Sequence, residues 1–410
     1  MLSIYTTFKG LHKDGKPMDF LAMWKKTFDK ASEREVTMFQ KMYCDEWCEY
    51  NTPQMSLTAE AIQGKYRIRI MATVIGNESP TPLRRSDGFD AWTGEIPRLG
   101  HKYPLRASEY RKLMEVYKNP FITETAKVKA IEKTLRDDMK NAYLGCKDVM
   151  DYILLKSLSN NGVCQFTPTL NNPGGRSYEV DYEMSEANKL ISWFLWNDAN
   201  VASGKINPIF MLSVLCSDLR ERGIEPGEIL CSQDIYFWLK NNAATKLMVH
   251  GTDKKDKSVS KSQFDELLSD NEICPISVVK RRMGQEKDGE RTTVEPWDHN
   301  FIAIKPAGKI AEIQPAIEDN ELMEEENVDY MNAGNGIRIA KWRTGDSTGQ
   351  VAAEYTQGSW RAIPAITEID AIICFQVRGF VEKKSSAGDE SLRRFWTQQE
   401  YAAAASLPTM

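Results

Sequence analysis

Few residues in this chain have the type and spacing to do chemistry. Gly345-Asp346-Ser347-Thr348-Gly349 matches G-x-S-x-G, the turn that lifts a nucleophilic serine between a strand and a helix. In that arrangement the acid and then the histidine follow the serine, whereas the last histidine here, His299, precedes Ser347. A flexible polar turn is therefore expected, and a serine hydrolase using Ser347 stands only as an alternative. The remaining histidines, His12, His101 and His250, are far apart and none forms an HExxH pair, which argues against a zinc enzyme. Cys44 and Cys48 would share one helix face, half of a metal site, with no second pair nearby to complete it. Gly334-Asn335-Gly336 lacks the third glycine of a dinucleotide fingerprint, and no GxxxxGK[ST] occurs. The acidic run Glu318–Asp329 has no calcium-loop spacing and reads as a solvated loop. Asn77-Glu78-Ser79 is a glycosylation sequon without meaning unless the chain is exported. No catalytic residue, cofactor or metal site is assigned, and an enzyme is not expected.

The elements that position these residues are clearer. From Glu124 to Asn160, Val128, Ile131, Leu135, Met139, Ala142, Cys146, Val149 and Ile153 step by three and four, one stripe of a very long helix. Lys127, Lys129, Glu132, Lys133, Arg136, Asp137, Asp138, Lys140, Lys147 and Asp151 make its solvated face, and Asn161-Gly162 ends it. Before it, a helix is predicted from Asp19 to Tyr50, ended by Thr52-Pro53. Next, Tyr66, Ile68 and Ile70 alternate with Arg67 and Arg69 as in a strand. A turn-rich tract with Arg84-Arg85 follows, and Phe89 to Tyr103 leads back. Two strands alone are marginal in water, so this excursion, Glu60–Arg106, is expected to lie on the body or on a neighbouring copy. A short helix from Ser108 to Lys118 precedes the long one.

After the long helix, strands at Val163–Phe166 and Ser177–Met184 form a ribbon beside it. Ser185 is expected to cap a further helix, and Asn207-Pro208 another that ends at Arg222-Gly223. A strand at Ile229–Ser232 and a helix at Gln233–Asn242 give a second α/β-like unit, followed by short strands at Ile276–Lys280, Asn300–Lys305 and Gly336–Arg343. The apolar run Ile366–Arg378 reads as a buried strand that rejoins the first unit's sheet, and the tail from Glu382 is charged and then alanine-rich.

At 410 residues the chain has room for two cores. Apolar content of 41% and charged content of 27% are those of an ordinary soluble protein. No run is apolar enough for a bilayer, and the first residues carry no signal core, so neither a membrane role nor export is expected. Eight cysteines without framework spacing read as reduced thiols of a cytosolic protein. With 53 Lys+Arg against 58 Asp+Glu, the net charge of −5 argues against a dedicated nucleic-acid binder while leaving room for loose contact with DNA.

The order of parts resembles the major capsid proteins of tailed bacteriophages, which have the Hong Kong 97 fold, and most closely their lambdoid E-type branch. The resemblance covers about residues 56–380. It is carried by EIPRLGHKYPLRASEY, DDMKNAYLGCKDVMDYILLKSLSNNGVCQF, RSYEVDYEM, the segment from WFLWNDANVASG to CSQDIYFWLKNN, WDHNFIAIKPAGKIAEIQP and the closing WRAIPAITEIDAIICFQVRG. It implies an α+β fold with an N-terminal arm (1–55), an extended β-hairpin loop (56–107) and a peripheral domain (108–200) whose spine helix is 124–160. An axial domain (201–361), a closing strand of the peripheral domain (362–381) and a C-terminal tail (382–410) complete the implied plan.

The implied function is a self-assembling subunit whose hexamers and pentamers form the icosahedral head around the phage DNA. It would be assembled in the host cytoplasm and localised to the virion. Partners would be copies of itself, a separate scaffolding protein, a portal, a decoration protein and, loosely, packaged DNA. An encapsulin-like compartment shell is the alternative within the fold, and a tail or portal component is another. Arg67, Arg69, Arg84 and Arg85 on the loop would meet carboxylates of a neighbouring copy, with Glu132, Asp137 and Asp138 on the spine helix as candidate landing points.

Overall fold

A computed structural model describes residues 12–13, 16–17, 41–64, 89–252, 257–287, 290–345, 353–383 and 395–404. From residue 41 the chain forms helix α1 (Tyr43–Trp47), strand β1 (Cys48–Tyr50), and a ribbon of β2 (Thr58–Gly64) and β3 (Phe89–Glu95). Strand β4 (Arg98–Arg106) runs into helix α2 (Ala107–Lys118), and the long helix α3 (Glu124–Leu158) follows. A hairpin of β5 (Val163–Phe166) and β6 (Tyr178–Asp181) then turns back on α3.

Helix α3 has 35 residues, which at ~1.5 Å each makes a rod roughly 52 Å long. Thr123 caps it: its hydroxyl accepts from the Ala126 N–H at 3.4 Å. The far end closes as Asn161-Gly162 predicts, with φ of 54° and 84°, the Gly162 N–H donating to the Ser157 carbonyl at 2.9 Å. Met139, Ala142, Cys146 and Ile153 of the apolar stripe are buried. The side chains of Val128, Ile131 and Leu135 lie outside the described residues. From Met150 to Leu155 every side chain is buried, Asp151 included, and Lys147 is buried too. Those two charges, assigned to the solvated face from the sequence, are therefore inside, because this end of the helix is covered all round.

Past α3 come β7 (Lys189–Ser192), α4 (Asp198–Ala202), α5 (Pro208–Glu221), β8 (Pro226–Cys231), α6 (Gln233–Asn241), α7 (Ala243–His250), α8 (Lys261–Asp270) and β9 (Ile276–Val278). A hairpin of β10 (Met283–Lys287) and β11 (Glu290–Val294) precedes β12 (Phe301–Pro306). Then follow β13 (Ala311–Ala316), α9 (Asp319–Leu322), β14 (Asp329–Asn332), β15 (Arg338–Thr344), β16 (Ala353–Ile366), β17 (Ile373–Gln376), β18 (Phe395–Thr397) and α10 (Gln398–Ala403).

Two six-stranded sheets organise these elements. The first has the order β14-β15-β16-β13-β1, with β4 also paired to β16, and it packs against α3. The second has the order β9-β8-β12-β17-β7-β18. Its core is formed with α5, α6 and α8 through Leu212, Leu215, Ile235, Phe264, Ile304 and Phe375.

Several expectations are corrected here. Where it is described, the helix expected from Asp19 to Tyr50 is one short turn, since Cys48 becomes extended to pair its strand in parallel with β13. Cys44 and Cys48 are therefore not on one helix face. Within the Phe89 to Tyr103 segment only β3 belongs to the ribbon, and β4 is a strand of the first sheet. Ser185 starts a single 3₁₀ turn, after which Leu190, Ile191 and Ser192 are buried as a strand. The run Ile366–Arg378 is split by a 3₁₀ turn at Ile369–Ala371, and β17 joins the second sheet rather than the first. Conversely β13 to β15 and most of β16, which the resemblance puts in the axial domain (201–361), pair in the helix's own sheet.

Candidate functional site

Three constructions hold the frame in shape. The first is a buried joint on α3. The Asp151 carboxylate, fully buried, accepts the backbone N–H groups of Cys44 at 2.7 Å and Tyr43 at 3.2 Å, and the Arg281 Nε lies 3.2 Å away. Arg281 also bonds Asp148, one turn back on the helix. Burial pushes the Asp151 carboxyl up to about 6, against the pull of Arg281 and the two N–H donors. Beside it Lys147 bonds Asp45 at 2.8 Å, and the Tyr50 hydroxyl donates to the same carboxylate at 2.5 Å. One helix face thus ties together the segment that starts at residue 41 and the segment entering β10.

The second construction anchors the ribbon's root. The Gln314 side-chain amide on β13 donates to the Glu60 carbonyl at 2.6 Å, and its oxygen accepts the Glu60 N–H at 3.0 Å. From β3, the Trp92 indole donates to the Asp181 carbonyl at 2.7 Å and stacks on Tyr182, whose hydroxyl bonds the Pro364 carbonyl. The Tyr178 hydroxyl reaches the Glu95 carbonyl at 2.6 Å.

The third is a row of arginines on neighbouring strands. Arg98 on β4 pairs in register with Arg361 on β16, and Arg338 lies on β15. Glu318 meets Arg98 at 3.3 Å, Asp319 meets Arg361 at 2.7 Å, and Glu324 meets Arg338, which also lies over the Tyr330 ring at 4.5 Å. Burial raises the pKa of Glu318 while Arg98 and Arg361 lower it, and the net direction is up. The acidic run is therefore no simple solvated loop. Its first half straps the sheet, because the arginines it meets come from three different strands, β4, β15 and β16.

A cleft of about 430 Å³ opens where α6 faces the root of the β10–β11 hairpin. Asp234, Phe237, Arg282, Trp297 and His299 are among the residues that line it. His299 stands between Asp234, 3.0 Å from Nδ1, and Glu295, 2.8 Å from Nε2. The two carboxylates face opposite ring nitrogens, and among the described residues no cluster of three or more metal-ligating side chains converges. No helix among them is long and apolar enough to cross a membrane.

Of the residues singled out from the sequence, Arg67, Arg69, Arg84 and Arg85 lie outside the described residues, as does Ser347. Glu132 and Asp137 belong to the helical backbone of α3, their side chains outside the described set, and Asp138 is half-buried. The joint at Asp151 and Arg281, the Gln314 clamp and the arginine row were missed. Only a mid-helix Asp in an increasingly apolar stretch, Val149 to Leu155, could have pointed to the first.

No family model matches the chain, and no curated protein matches it. Among solved structures, a prophage protein of Escherichia coli CFT073 described as a capsid protein is similar at 9% identity, covering 86% of this chain and 99% of that one, with a TM-score of 0.48. A phage-related protein of Bordetella bronchiseptica RB50 is similar at 12% identity over 87% of this chain and 96% of that one, with a TM-score of 0.45. The capsid of cyanophage P-SCSP1u is similar at 10% identity, 84% and 91% coverage and a TM-score of 0.42.

Proposed function

We propose that this chain is a shell subunit, a major capsid protein that assembles with copies of itself into the hexamers and pentamers of a phage head. The observation that carries this reading is the pairing of β4 with β16. Strand β4 leaves the ribbon, and β16 ends the run of strands, β13 to β16, that returns to the first sheet after β12; the two pair from Arg106↔Ala353 to Arg98↔Arg361. Ribbon and second sheet are thereby two excursions from one frame built on α3, in the order that the sequence resemblance implies. A two-stranded ribbon with an anchored root buries little of its own surface and is completed by a neighbouring copy. The landing points are the carboxylates of a neighbour's α3, met by Arg67, Arg69, Arg84 and Arg85. In this reading, α2, α3, the β5–β6 hairpin, β4 and β13 to β16 form the peripheral part, and the second sheet, β7 included, forms the axial part.

The role is structural rather than catalytic, with a separate scaffolding protein, a portal and a decoration protein as assembly partners. A net charge of −5 suits a wall that encloses DNA without gripping it through counterion release. Negative-stain electron microscopy of the expressed chain tests this directly. Closed shells are expected. Rings or tubes, or a subunit that stays monomeric at every salt and protein concentration tried, overturn it.

A further inference from the structure

His299 has a carboxylate at each ring nitrogen, Asp234 from the first turn of α6 and Glu295 from the segment after β11. A neutral imidazole has one N–H and one lone pair, so one of these contacts would set a lone pair against a carboxylate oxygen. Only the protonated ring donates to both. The carboxylates are themselves held from outside: Arg378, past β17, bonds Asp234 at 3.0 Å, and Arg282, before β10, pairs with Glu295 at 2.7 Å. Lys280 and Arg281 line the same cleft, Arg281 engaged with Asp148 and Asp151. The result is a line of alternating charge, Arg378, Asp234, His299, Glu295, Arg282.

Its position matters because β10 and β11 pair from Met283↔Val294 outward to Lys287↔Glu290, so Arg282 and Glu295 are the two residues at the hairpin's root. Most described hairpin side chains beyond Met283 are exposed, and a further polar tie is Gln285, whose amide donates to the Asn171 carbonyl at 2.5 Å. The root is therefore a principal attachment of a projecting element.

We propose that His299 is a proton-operated clasp for the β10–β11 hairpin: charged, it joins Glu295 at the root to Asp234 on α6, and neutral, it lets one of them go. Burial lowers the imidazole pKa, but the bonds and charges of Glu295 and Asp234 outweigh it, and the net shift is upward from 6.5. A base whose folded pKa is raised contributes stability that is complete below the ordinary value of about 6.5 and disappears as pH rises through the folded value. The clasp is closed on the acid side and opens toward alkaline pH.

The test is hydrogen exchange of the full-length chain followed by mass spectrometry across that window, with amide rates corrected for their intrinsic pH dependence. Exchange at the imidazole C2 hydrogen reads the His299 titration in the same samples. The His299 midpoint is expected above about 6.5. Amide protection over residues 283–294 is expected to fall about threefold through that midpoint, the factor one exposed ion pair can supply. In His299→Gln, which carries no charge at any pH, the protection should not change across the window. In Glu295→Gln, which keeps the shape of the root, the His299 midpoint should drop. A wild-type midpoint at or below the ordinary value, an unmoved midpoint in Glu295→Gln, or the same loss of protection in His299→Gln overturns the proposal.

Discussion

A carboxylate with no exposed atoms survives inside a protein only if its charge is answered, and Asp151 is answered by two backbone N–H groups and the guanidinium of Arg281. Removing one member of a buried pair leaves the other uncompensated, so Arg281→Ala is expected to cost about 3–5 kcal/mol, read as a lower denaturant midpoint with unchanged slope. The pH dependence has a definite sign. The Asp151 carboxyl sits at about 6 in the folded chain, burial being the largest cause, against an ordinary value of about 3.9. Its contribution is therefore most favourable in acid and falls as pH rises between those values. In Arg281→Ala the orphaned carboxylate ionises with even more difficulty, so the variant's deficit should be larger at neutral pH than near pH ~5, where the group is largely protonated. A deficit independent of pH would separate the two residues. The thiols behave more simply. All eight cysteines are free and buried, and burial pushes Cys146, Cys164 and Cys374 up to about 12. Thiolate is the reactive form, so in the native chain these three are expected to stay unlabelled by a disulfide reagent and to react at once on unfolding. Fast native labelling at any of them would contradict their burial.

Among elements, the contact that fixes the frame is helix α3 lying on β16, and it depends on the absence of a side chain. A Cβ on Gly358 would come within 2.2 Å of the Ala142 carbonyl oxygen, a backbone atom that cannot swing aside. Gly358→Ala must push the helix off the sheet and is expected to destabilise by about 1–3 kcal/mol or more. Gly284→Ala on β10 has no atom within 4 Å of the new carbon and should change stability by less than about 0.5 kcal/mol. Equal melting temperatures for the two variants would refute the close approach. This contact also marks what the sequence could reveal. Helix α3, its cap region at Asn161-Gly162 and helix α5 after Asn207-Pro208 were legible because their signals are local: period, cap and proline. Strand membership was not. Ile373 to Gln376 and Ala311 to Ala316 carry the same apolar look, and which sheet each joins is decided by partners more than 40 residues away. Asp151 and Lys147 were misread for a related reason, since a helical pattern tells which residues share a face but not how many faces are covered.

At the scale of the whole molecule the proposed assembly can be separated from the fold, because the ribbon's root is held within the chain itself. Gln314 clamps Glu60, Trp92 reaches Asp181, and Tyr178 reaches Glu95, all on the near side of residues 65–88. Replacing residues 66–87 by a short Gly-Ser linker leaves every one of those bonds in place. If the excursion serves a neighbouring copy, the replaced chain should unfold at the wild-type denaturant midpoint and yet form no closed shells by negative stain. Reversing two charges within the same segment, Arg84→Glu with Arg85→Glu, refines the point. Exposed ion pairs are screened by salt, with a Debye length of about 10 Å at 0.1 M. Assembly of that variant should be weakened most at low ionic strength, where like charges now face a neighbour's carboxylates, and should approach wild type as salt rises. Intact assembly of the double variant at every salt concentration would remove these arginines from the interface while leaving the ribbon's role standing. Closed shells from the linker variant would remove the ribbon as well, and with it the reason for an anchored pair of strands ahead of β4.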